Sequence, residues 1–364
     1  MELPNRTESM VLTAPEALEM QSFDVPDVSE TGGGLLEVEM TSVCGSDIGR
    51  YQGKGYSTYY PVVFGHEVVG RVVEASDDAL DRFGVSLGDR VVPEPYIPCY
   101  ACRNCQRGNY HMCDEGRCYG VTMTADQPPH LWGGYGEYMY LHRNSKLHPV
   151  AEEVPPEAAC LGTVIGNGVR WAHTKGEVGP TDDVVVIGPG AQGLSTVLVA
   201  AEAGADPVVL LGLASDGDRL ALGEDLGATH TVTIDEQDPE AVVDEATDGE
   251  GPEVVVVAAP DSRAVELGLD LVAPLGRLVL PGIVGEATEI ETDRIVRDEI
   301  SIIGGRGQAL DVEPAMELVE AHAEDVARIN THTFPVSEAD TAIQRQLAGD
   351  AFDPDIIHAA LYPD

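Results

Sequence analysis

Four cysteines lie close together in the chain, at spacings typical of a metal site. Cys99, Cys102, Cys105 and Cys113 form a C-x2-C-x2-C-x7-C pattern, which places four of the seven cysteines within fifteen residues. Four thiolates at about 2.3 Å from one Zn2+ make a closed structural site, and short loops between ligands lower the entropy that closing the site costs. The alternative is a disulfide knot, but the other cysteines are scattered and no secretory framework is visible. The pattern therefore predicts structural zinc and a reducing compartment.

A glycine-rich turn could cradle a dinucleotide. Gly188, Gly190 and Gly193 follow the apolar run VVVI and precede a stretch of small residues that reads as a helix. In this context the first glycine allows a tight turn, the second lets the backbone approach a pyrophosphate, and the third allows close packing of helix on strand. The phosphates would then lie at the helix N-terminus. A GxGxxG pattern alone is weak in a chain with 40 glycines, so this prediction depends on the flanking strand and helix.

Hydrophobic patterning predicts the elements that position these residues. Residues 35–43 and 61–76 are rich in β-branched side chains and predict strands of a mostly β domain over residues 1–164. Short apolar runs then alternate with helical stretches, which is typical of a doubly wound parallel sheet, here placed at 165–306. The runs are VVVIG (184–188), VVLL (208–211), HTVTI (230–234), EVVVVAA (253–259), RLVLPG (277–282) and SIIGG (301–305), with helices at 191–203 and 216–226.

Length and composition narrow the class of protein. A chain of 364 residues exceeds the usual single core and should form two domains. It is 43% hydrophobic and has no apolar run near 18 residues, which predicts a soluble globular protein without a membrane partner. The segment MELPNRTESM lacks the basic and apolar regions of a signal peptide, so we expect a cytoplasmic location.

The charge of the chain is strongly acidic. The 21 basic and 63 acidic residues give a net charge of −42, and the only lysines are Lys54, Lys146 and Lys175. Such a field makes nucleic acid a poor partner. The acidic residues are spread along the chain, as in proteins adapted to molar salt, where the Debye length is about 3 Å and self-repulsion is mostly screened. The alternative is an ordinarily acidic protein.

The motifs together resemble those of the zinc-containing medium-chain alcohol dehydrogenases, in the branch of the polyol and threonine dehydrogenases. The resemblance runs from about residue 8 to the C-terminus. It implies a mostly β, GroES-like catalytic domain, a Rossmann domain, and a tail over 307–364 that returns to the first domain. It also implies hydride transfer between an alcohol or polyol and NAD(P), two zinc ions per chain, and a homodimer or homotetramer. The motifs are CGSD (44–47), GHE (65–67), GDRV (88–91), the cysteine run, GGYGEY (133–138) and VVVIGPGAQG (184–193).

The resemblance implies a second, catalytic zinc. Cys44, His66 and Glu67 stand where the family carries its catalytic-zinc motifs. Taken singly, Cys44 could be a small core residue and His66–Glu67 a turn between strands. Ser46 resembles the hydroxyl that contacts the substrate oxygen, although it could be a plain turn serine. Asp47 resembles the carboxylate that orients a zinc-bound histidine.

Two features of the zinc motifs depart from the family pattern. Thr163 stands where the family often has a cysteine or carboxylate ligand, with Cys160 three positions earlier. We favour Glu67 over Cys160 as the remaining protein ligand, because Cys160 has apolar neighbours. The usual relay histidine is also missing, since Gly49 and Arg50 lie where it would stand, so the proton must leave by another group or through water.

A third departure concerns the cofactor. The family usually ends its second Rossmann strand with an acidic residue that accepts the adenosine ribose hydroxyls, and Gly212 stands there. Losing that carboxylate removes an acceptor specific to NAD and a repulsion against a 2′-phosphate. The choice between NAD and NADP stays open, with a slight lean to NADP.

Two other classes of function compete with the enzyme. A catalytically silent dinucleotide-binding homologue that retains only the cysteine-rich zinc would explain Thr163 and Gly49. A zinc-ribbon nucleic-acid binder would explain the cysteines, but neither the net charge of −42 nor the glycine-rich half of the chain. The favoured hypothesis is a zinc-dependent NAD(P) alcohol dehydrogenase.

Overall fold

The computed structural model describes residues 3–54, 59–348 and 355–364, and the chain divides into two compact units. One unit contains Met1–Thr163 and Val319–Asp364, and the other contains Val164–Leu318. Residues 307–318 therefore group with the second unit. None of the helices within the described ranges is long and apolar enough to cross a membrane.

The N-terminal part of the first unit consists of short strands and helices. GHE interrupts the segment expected to be a strand at 61–76, so two strands form there. The strands are β1 (Arg6–Ala14), β2 (Ala17–Asp24), β3 (Gly34–Ser42), β4 (Val62–Val63), β5 (Val68–Ala75), β6 (Arg90–Pro93), β7 (Tyr138–Leu141) and β8 (Leu147–Pro149). The helices are α1 (Val28–Thr31), α2 (Gly45–Tyr51), α3 (Asp77–Phe83), α4 (Arg103–Gln106) and α5 (Pro156–Ala159). Along the chain, α6 (Gly162–Gly168) begins in the first unit and ends in the second, and the π-helical segment that follows it, Val169–Lys175, belongs to the second unit.

The second unit contains one sheet of six parallel strands in the order β11-β10-β9-β12-β13-β14. The strands are β9 (Val184–Ile187), β10 (Val208–Gly212), β11 (His230–Thr233), β12 (Val254–Val257), β13 (Arg277–Leu280) and β14 (Ser301–Gly304). The helices are α7 (Ala191–Glu202), α8 (Gly217–Asp225), α9 (Pro239–Ala246), α10 (Ser262–Leu271), α11 (Thr292–Arg297) and α12 (Val312–Ala321). β9, β10 and β12 are fully buried, which is why they are continuous apolar runs rather than alternating ones. This is the doubly wound parallel sheet that the sequence predicts, and its strand order reverses beside β9.

The C-terminal segment completes the first unit. It contains α13 (Ala323–Ala327), β15 (Asn330–Pro335), α14 (Ala339–Ala348) and β16 (His358–Tyr362). β16 pairs antiparallel with β3, which places Ala360 opposite Ser42, and β15 pairs parallel with β16. The resulting sheet runs β15-β16-β3-β5-β6-β8, with β7 also paired to β3, and a smaller sheet runs β2-β1-β4. The last strand therefore lies beside the strand that leads into Cys44.

Candidate active site and zinc sites

Two loops bring Cys44, His66 and Glu67 together. Cys44 follows β3 and occupies the N-cap position of α2, with an extended backbone. His66 and Glu67 lie in the turn between β4 and β5, and the Ser42 amide donates a hydrogen bond to the Glu67 carbonyl at 2.9 Å. One ligand atom from each of the three side chains lies within 4.8 Å of the other two. Thiolate, imidazole and carboxylate are the groups that bind Zn2+ in proteins, so the donor set suits this metal.

The turn that carries His66 requires a glycine before it. Gly65 has φ +98°, and a Cβ there would lie 2.7 Å from the amide nitrogen of Gly134. The Gly134 and Tyr135 amides donate hydrogen bonds to the carbonyls of Gly65 and Phe64, at 3.0 and 2.9 Å. The GHE and GGYGEY motifs, separated in the sequence, are therefore two sides of one close backbone contact that fixes the position of His66.

The polar side chains around this site are buried and poorly satisfied. Burial raises the pKa of the Cys44 thiol, the Asp47 carboxyl and, most strongly, the Glu67 carboxyl. Both carboxylate oxygens of Asp47, Nδ1 of His66 and Oε2 of Glu67 have no hydrogen-bond partner among the described residues. Buried carboxylates without hydrogen bonds are costly, and a divalent cation between them would offset that cost. The residues present therefore fit a bound zinc ion.

Asp47 lies where it can orient His66. Its Oδ1 atom is 3.5 Å from Nδ1 of His66, and the carboxylate is completely buried. A carboxylate at this place favours the proton on Nδ1 and leaves Nε2 as the lone-pair donor for a metal. The structure thus brings together the two residues that the sequence hypothesis pairs.

Glu67 has a neighbour that the sequence analysis did not single out. Nε2 of His358, on β16, lies 3.7 Å from Oε2 of Glu67. The amide of Asn330 donates to the Glu157 carbonyl at 2.7 Å, so the Asn330 oxygen faces Nδ1 of His358 and accepts its proton at 2.8 Å. Burial lowers the pKa of His358 to about 4. Nothing in the sequence around His358 marks this role, because the contact depends on the pairing of β16 with β3.

Ser46 is held by an arginine. Nη1 of Arg50 donates to Oγ of Ser46 at 2.8 Å, one turn along α2, and the Ser46 hydroxyl donates to Sγ of Cys44 at 3.4 Å. A guanidinium has only donors and keeps its protons at all working pH values. A proton relay that enters at Ser46 therefore cannot continue through Arg50.

Cys160 lies outside the group of mutually close ligand atoms. Its thiol donates to the Glu157 carbonyl at 3.6 Å and accepts from Ser42 and Asn330, and burial raises its pKa to about 12. Thr163 is also buried, and its hydroxyl has no hydrogen-bond partner within the described ranges. The surroundings of Cys160 are those of a packed thiol, which favours Glu67 as the remaining zinc ligand.

The four cysteines of the predicted structural site converge. One sulfur from each of Cys99, Cys102, Cys105 and Cys113 lies within 4.8 Å of the others, and all four are free thiols. The Cys99 and Cys105 sulfurs are 3.8 Å apart, far longer than the roughly 2.05 Å of a disulfide. Backbone amides donate to these sulfurs, and backbone donors lower the pKa of Cys102 to about 6. Convergent thiols that accept amide protons are suited to a cation.

A buried carboxylate connects the cysteine loop to the sheet. Oε2 of Glu94 accepts a hydrogen bond from the Tyr110 hydroxyl at 2.6 Å, and Oε1 lies 2.8 Å from Nε2 of His148. Tyr110 lies between the third and fourth cysteines, and Glu94 directly follows β6. Sequence reasoning missed this contact, because a single glutamate after a strand carries no signal of burial.

The three glycines of the second unit form a turn at the carboxyl end of β9. Gly188 has φ +103°, and a Cβ there would lie 2.8 Å from the Ala259 amide nitrogen. A Cβ on Gly193 would lie 1.9 Å from the Gly188 carbonyl oxygen, so α7 packs directly on the turn. A Cβ on Gly190 would meet nothing within 4 Å, which leaves open space at the N-terminus of α7. This cradle fits a pyrophosphate.

Gly212 is the last residue of β10 and lies against the glycine turn. A Cβ there would approach Cγ of Pro189 to 2.9 Å and Oδ2 of Asp216 to 3.2 Å. The absence of a side chain at Gly212 therefore allows Pro189 of the glycine turn to pack against the end of β10. An acidic side chain at Gly212 would have to displace Pro189.

Comparison with known proteins agrees with this geometry. The chain matches the family model for the alcohol dehydrogenase GroES-like domain over residues 30–152 and that for the zinc-binding dehydrogenase over residues 191–321. It is 34% identical to a probable alcohol dehydrogenase of Mycobacterium tuberculosis, over 98% of both chains. It is 30% identical to an erythritol/L-threitol dehydrogenase of Mycolicibacterium smegmatis, over 93% of both chains. The chain belongs to the zinc-containing medium-chain alcohol dehydrogenase family.

The fold of this alcohol dehydrogenase also matches solved structures. An alcohol dehydrogenase of Thermotoga maritima superposes with a TM-score of 0.90 at 23% identity, covering 99% of this chain and all of the other. The expected fold class, a GroES-like domain with a Rossmann domain, is confirmed. The chain is a zinc-containing oxidoreductase that uses NAD(P) and acts on a small alcohol or carbonyl compound, and no observation favours the catalytically silent alternative.

The glycine turn generates a paired prediction. Gly193→Ala should lower the melting temperature, because its Cβ would collide with the Gly188 carbonyl. Gly190→Ala should leave the melting temperature unchanged but weaken NADH binding about tenfold or more, because the methyl group would enter the pyrophosphate space. Thermal unfolding and fluorescence titration with NADH measure both. Unweakened NADH binding by folded Gly190→Ala would contradict the proposed pyrophosphate position.

Proposed function

We propose that this alcohol dehydrogenase oxidises polyols or related secondary alcohols with two zinc ions per chain. Cys44, His66 and Glu67 hold the catalytic ion, and the four cysteines hold the structural ion. The observation that supports this most directly is the convergence of three chemically suitable ligand atoms within 4.8 Å, among buried polar atoms that have no hydrogen bond within the described residues.

The substrate class follows from the relatives and from the ligand set. One relative is named for erythritol and L-threitol, another, 30% identical and from Halalkalibacterium halodurans, is a sorbitol dehydrogenase, and a probable alcohol dehydrogenase is also among them. Three protein ligands leave a tetrahedral zinc one open position for a substrate oxygen. Glu67 as the third ligand also agrees with the polyol and threonine dehydrogenase branch to which the sequence is similar.

The residues around the proposed catalytic zinc site have separate roles. A zinc ion at this site supplies a Lewis acid that lowers the pKa of the substrate hydroxyl. Asp47 keeps His66 in the required tautomer, and Ser46 offers its hydroxyl to the substrate oxygen while Arg50 keeps that hydroxyl in place. Ser46 Oγ would take the alcohol proton while its own hydroxyl proton passes to water, because Arg50 cannot accept a proton. A bound NAD(P) would accept the hydride from the carbon that carries the substrate hydroxyl, which would leave a carbonyl compound.

We also propose that the enzyme works in the cytoplasm at high salt. The net charge of −42 supports the salt adaptation, together with the small number of lysines. The thiol clusters support a reducing compartment, because the cysteines are unpaired and suited to metal.

A homodimer or homotetramer is proposed as the working form. β14 is an edge strand of the parallel sheet and carries the exposed Ile302, and the chain between β13 and β14 carries three more exposed apolar side chains, Ile283, Ile290 and Val296. An unpaired edge with exposed apolar side chains is suited to pairing with a second copy.

Metal analysis tests the two-zinc proposal. Wild-type protein should contain two zinc ions per chain, and Cys102→Ser should lose one and become less stable. His66→Ala should lose the other, with turnover abolished and NADH binding retained, because the dinucleotide site uses residues of the other unit. Mass spectrometry of the metals, with turnover and NADH titration, measures these effects.

A matched pair of variants tests the third ligand. Glu67→Gln should weaken retention of the catalytic zinc against a chelator, whereas Cys160→Ser should retain it. If Cys160→Ser lost the zinc and Glu67→Gln retained it, the third protein ligand would be Cys160 rather than Glu67. Wild-type protein that is fully active with only one zinc would contradict the mechanism.

A salt series tests the adaptation. Repulsion between the acidic side chains should destabilise the folded chain at 0.1 M KCl. Screening should restore its stability by 3 M KCl, as the Debye length falls from about 10 Å to below 3 Å. Melting temperature and activity should therefore rise together across the series. Constant values over this range would show that the acidic surface has no such effect.

Light scattering with size exclusion tests the assembly. The wild-type mass should be that of a dimer or tetramer, and Ile302→Asp should shift it toward the monomer, because a charge at the edge strand opposes pairing. Leu87→Asp, at a similarly exposed position in the first unit, is the control and should not change the mass. A monomeric wild type would contradict the proposal.

A further inference from the structure

The second Rossmann strand ends without a carboxylate. β10 stops at Gly212, and the next three residues, Leu213, Ala214 and Ser215, are exposed and uncharged. An acidic side chain at this edge of the sheet accepts the ribose hydroxyls of NAD in many Rossmann folds. The structure therefore raises the question of which group replaces it.

A carboxylate from the neighbouring strand reaches this position. Gly212, the last residue of β10, pairs with Thr233, the last residue of β11, and two residues beyond these strand ends Ala214 and Asp235 are still in contact. Oδ1 of Asp235 accepts a hydrogen bond from the Ala214 amide at 2.8 Å. Asp235 therefore places a negative charge directly on the backbone of the segment that follows β10.

The turn that carries Asp235 is held on both sides. The Glu236 and Gln237 amides donate to the Thr233 carbonyl at 3.0 and 2.9 Å, and the Gln237 side chain accepts from the Thr233 amide at 2.8 Å. The Asp235 carboxylate is exposed, and its Oδ2 atom is not used in the bond to Ala214. The group is therefore fixed in place before a ligand arrives, and it has acceptor capacity to spare.

The charges nearby disfavour a 2′-phosphate. Arg219 is the only basic residue in the sequence from 213 to 219, and its Nη1 donates to Oδ1 of Asp216 at 3.3 Å. The other oxygen of Asp216 accepts from the Leu213 amide at 2.9 Å. A phosphate at this place would meet Asp235 and would have to compete with Asp216 for the guanidinium.

We infer that Asp235 accepts the adenosine ribose hydroxyls and makes NAD(H) the preferred cofactor over NADP(H). The inference rests on the proposed dinucleotide site at the glycine turn. The absence of a carboxylate at Gly212 had favoured NADP. That argument no longer holds, because Asp235, which follows β11, supplies the carboxylate that the end of β10 lacks.

Titration of the full-length, zinc-loaded protein with NADH and with NADPH tests the inference without measuring turnover. Wild-type protein should bind NADH at least about tenfold more tightly than NADPH. Asp235→Asn can still accept the Ala214 proton through its amide oxygen but removes the charge, so the NADPH:NADH ratio of dissociation constants should fall by about tenfold. Glu236→Gln removes the adjacent charge and should leave the ratio unchanged.

A second variant distinguishes the loss of the carboxylate charge from a distortion of the turn that carries Asp235. Adding Ala214→Asp to Asp235→Asn should restore the preference for NADH, because the carboxylate then comes from the β10 side. Equal wild-type affinity for the two dinucleotides, or the same ratio in Asp235→Asn as in wild type, would overturn the inference alone. Failure to bind either dinucleotide would overturn it together with the proposed dinucleotide site.

Discussion

The structure depends on the burial of anionic and imidazole side chains around one point in the first unit. Cys44, Asp47, His66 and Glu67 lie where desolvation raises the pKa of the three acids, and several of their polar atoms have no hydrogen bond within the described residues. Such a cluster is unfavourable without a cation, so metal binding and the stability of this unit are linked. Burying these groups lowers the stability of the fold, and a metal ion bound between them would offset that loss.

Strand ends and paired backbones position the chemistry. Cys44 follows β3, His66 precedes β5, and β16 brings His358 from the far end of the chain to Glu67. In the second unit the glycine turn follows β9, and Asp235 follows β11. Rigid sheets thus fix the backbone, and the short segments beyond them carry the functional groups.

Much of the fold could be predicted from the sequence, because its signals are local. The six short runs of the second half became the six parallel strands. Three of them, β9, β10 and β12, are continuously apolar because they are buried on both faces. The residues of the two clusters that could hold a metal ion could also be named in advance, because they lie in short motifs: CGSD, GHE and the cysteine run.

The rest of the site depends on contacts between distant segments. His358 and Asn330 gain their roles only when β15 and β16 join the sheet, and Glu94 only when it is buried under Tyr110. The ribose-binding prediction at Gly212 considered one strand alone, whereas the carboxylate that reaches this edge comes from its neighbour, Asp235. These contacts form only when strands pair, and the pairing of strands cannot be read from a single segment of the sequence.

The most direct test of the account is a crystal structure of the zinc-loaded protein, with anomalous diffraction recorded above and below the zinc absorption edge. Two zinc peaks per chain are expected, one among the four clustered cysteines and one bound by Cys44, His66 and Glu67. A second peak bound by Cys160 instead of Glu67, or no peak beside Cys44 in active protein, would contradict the account.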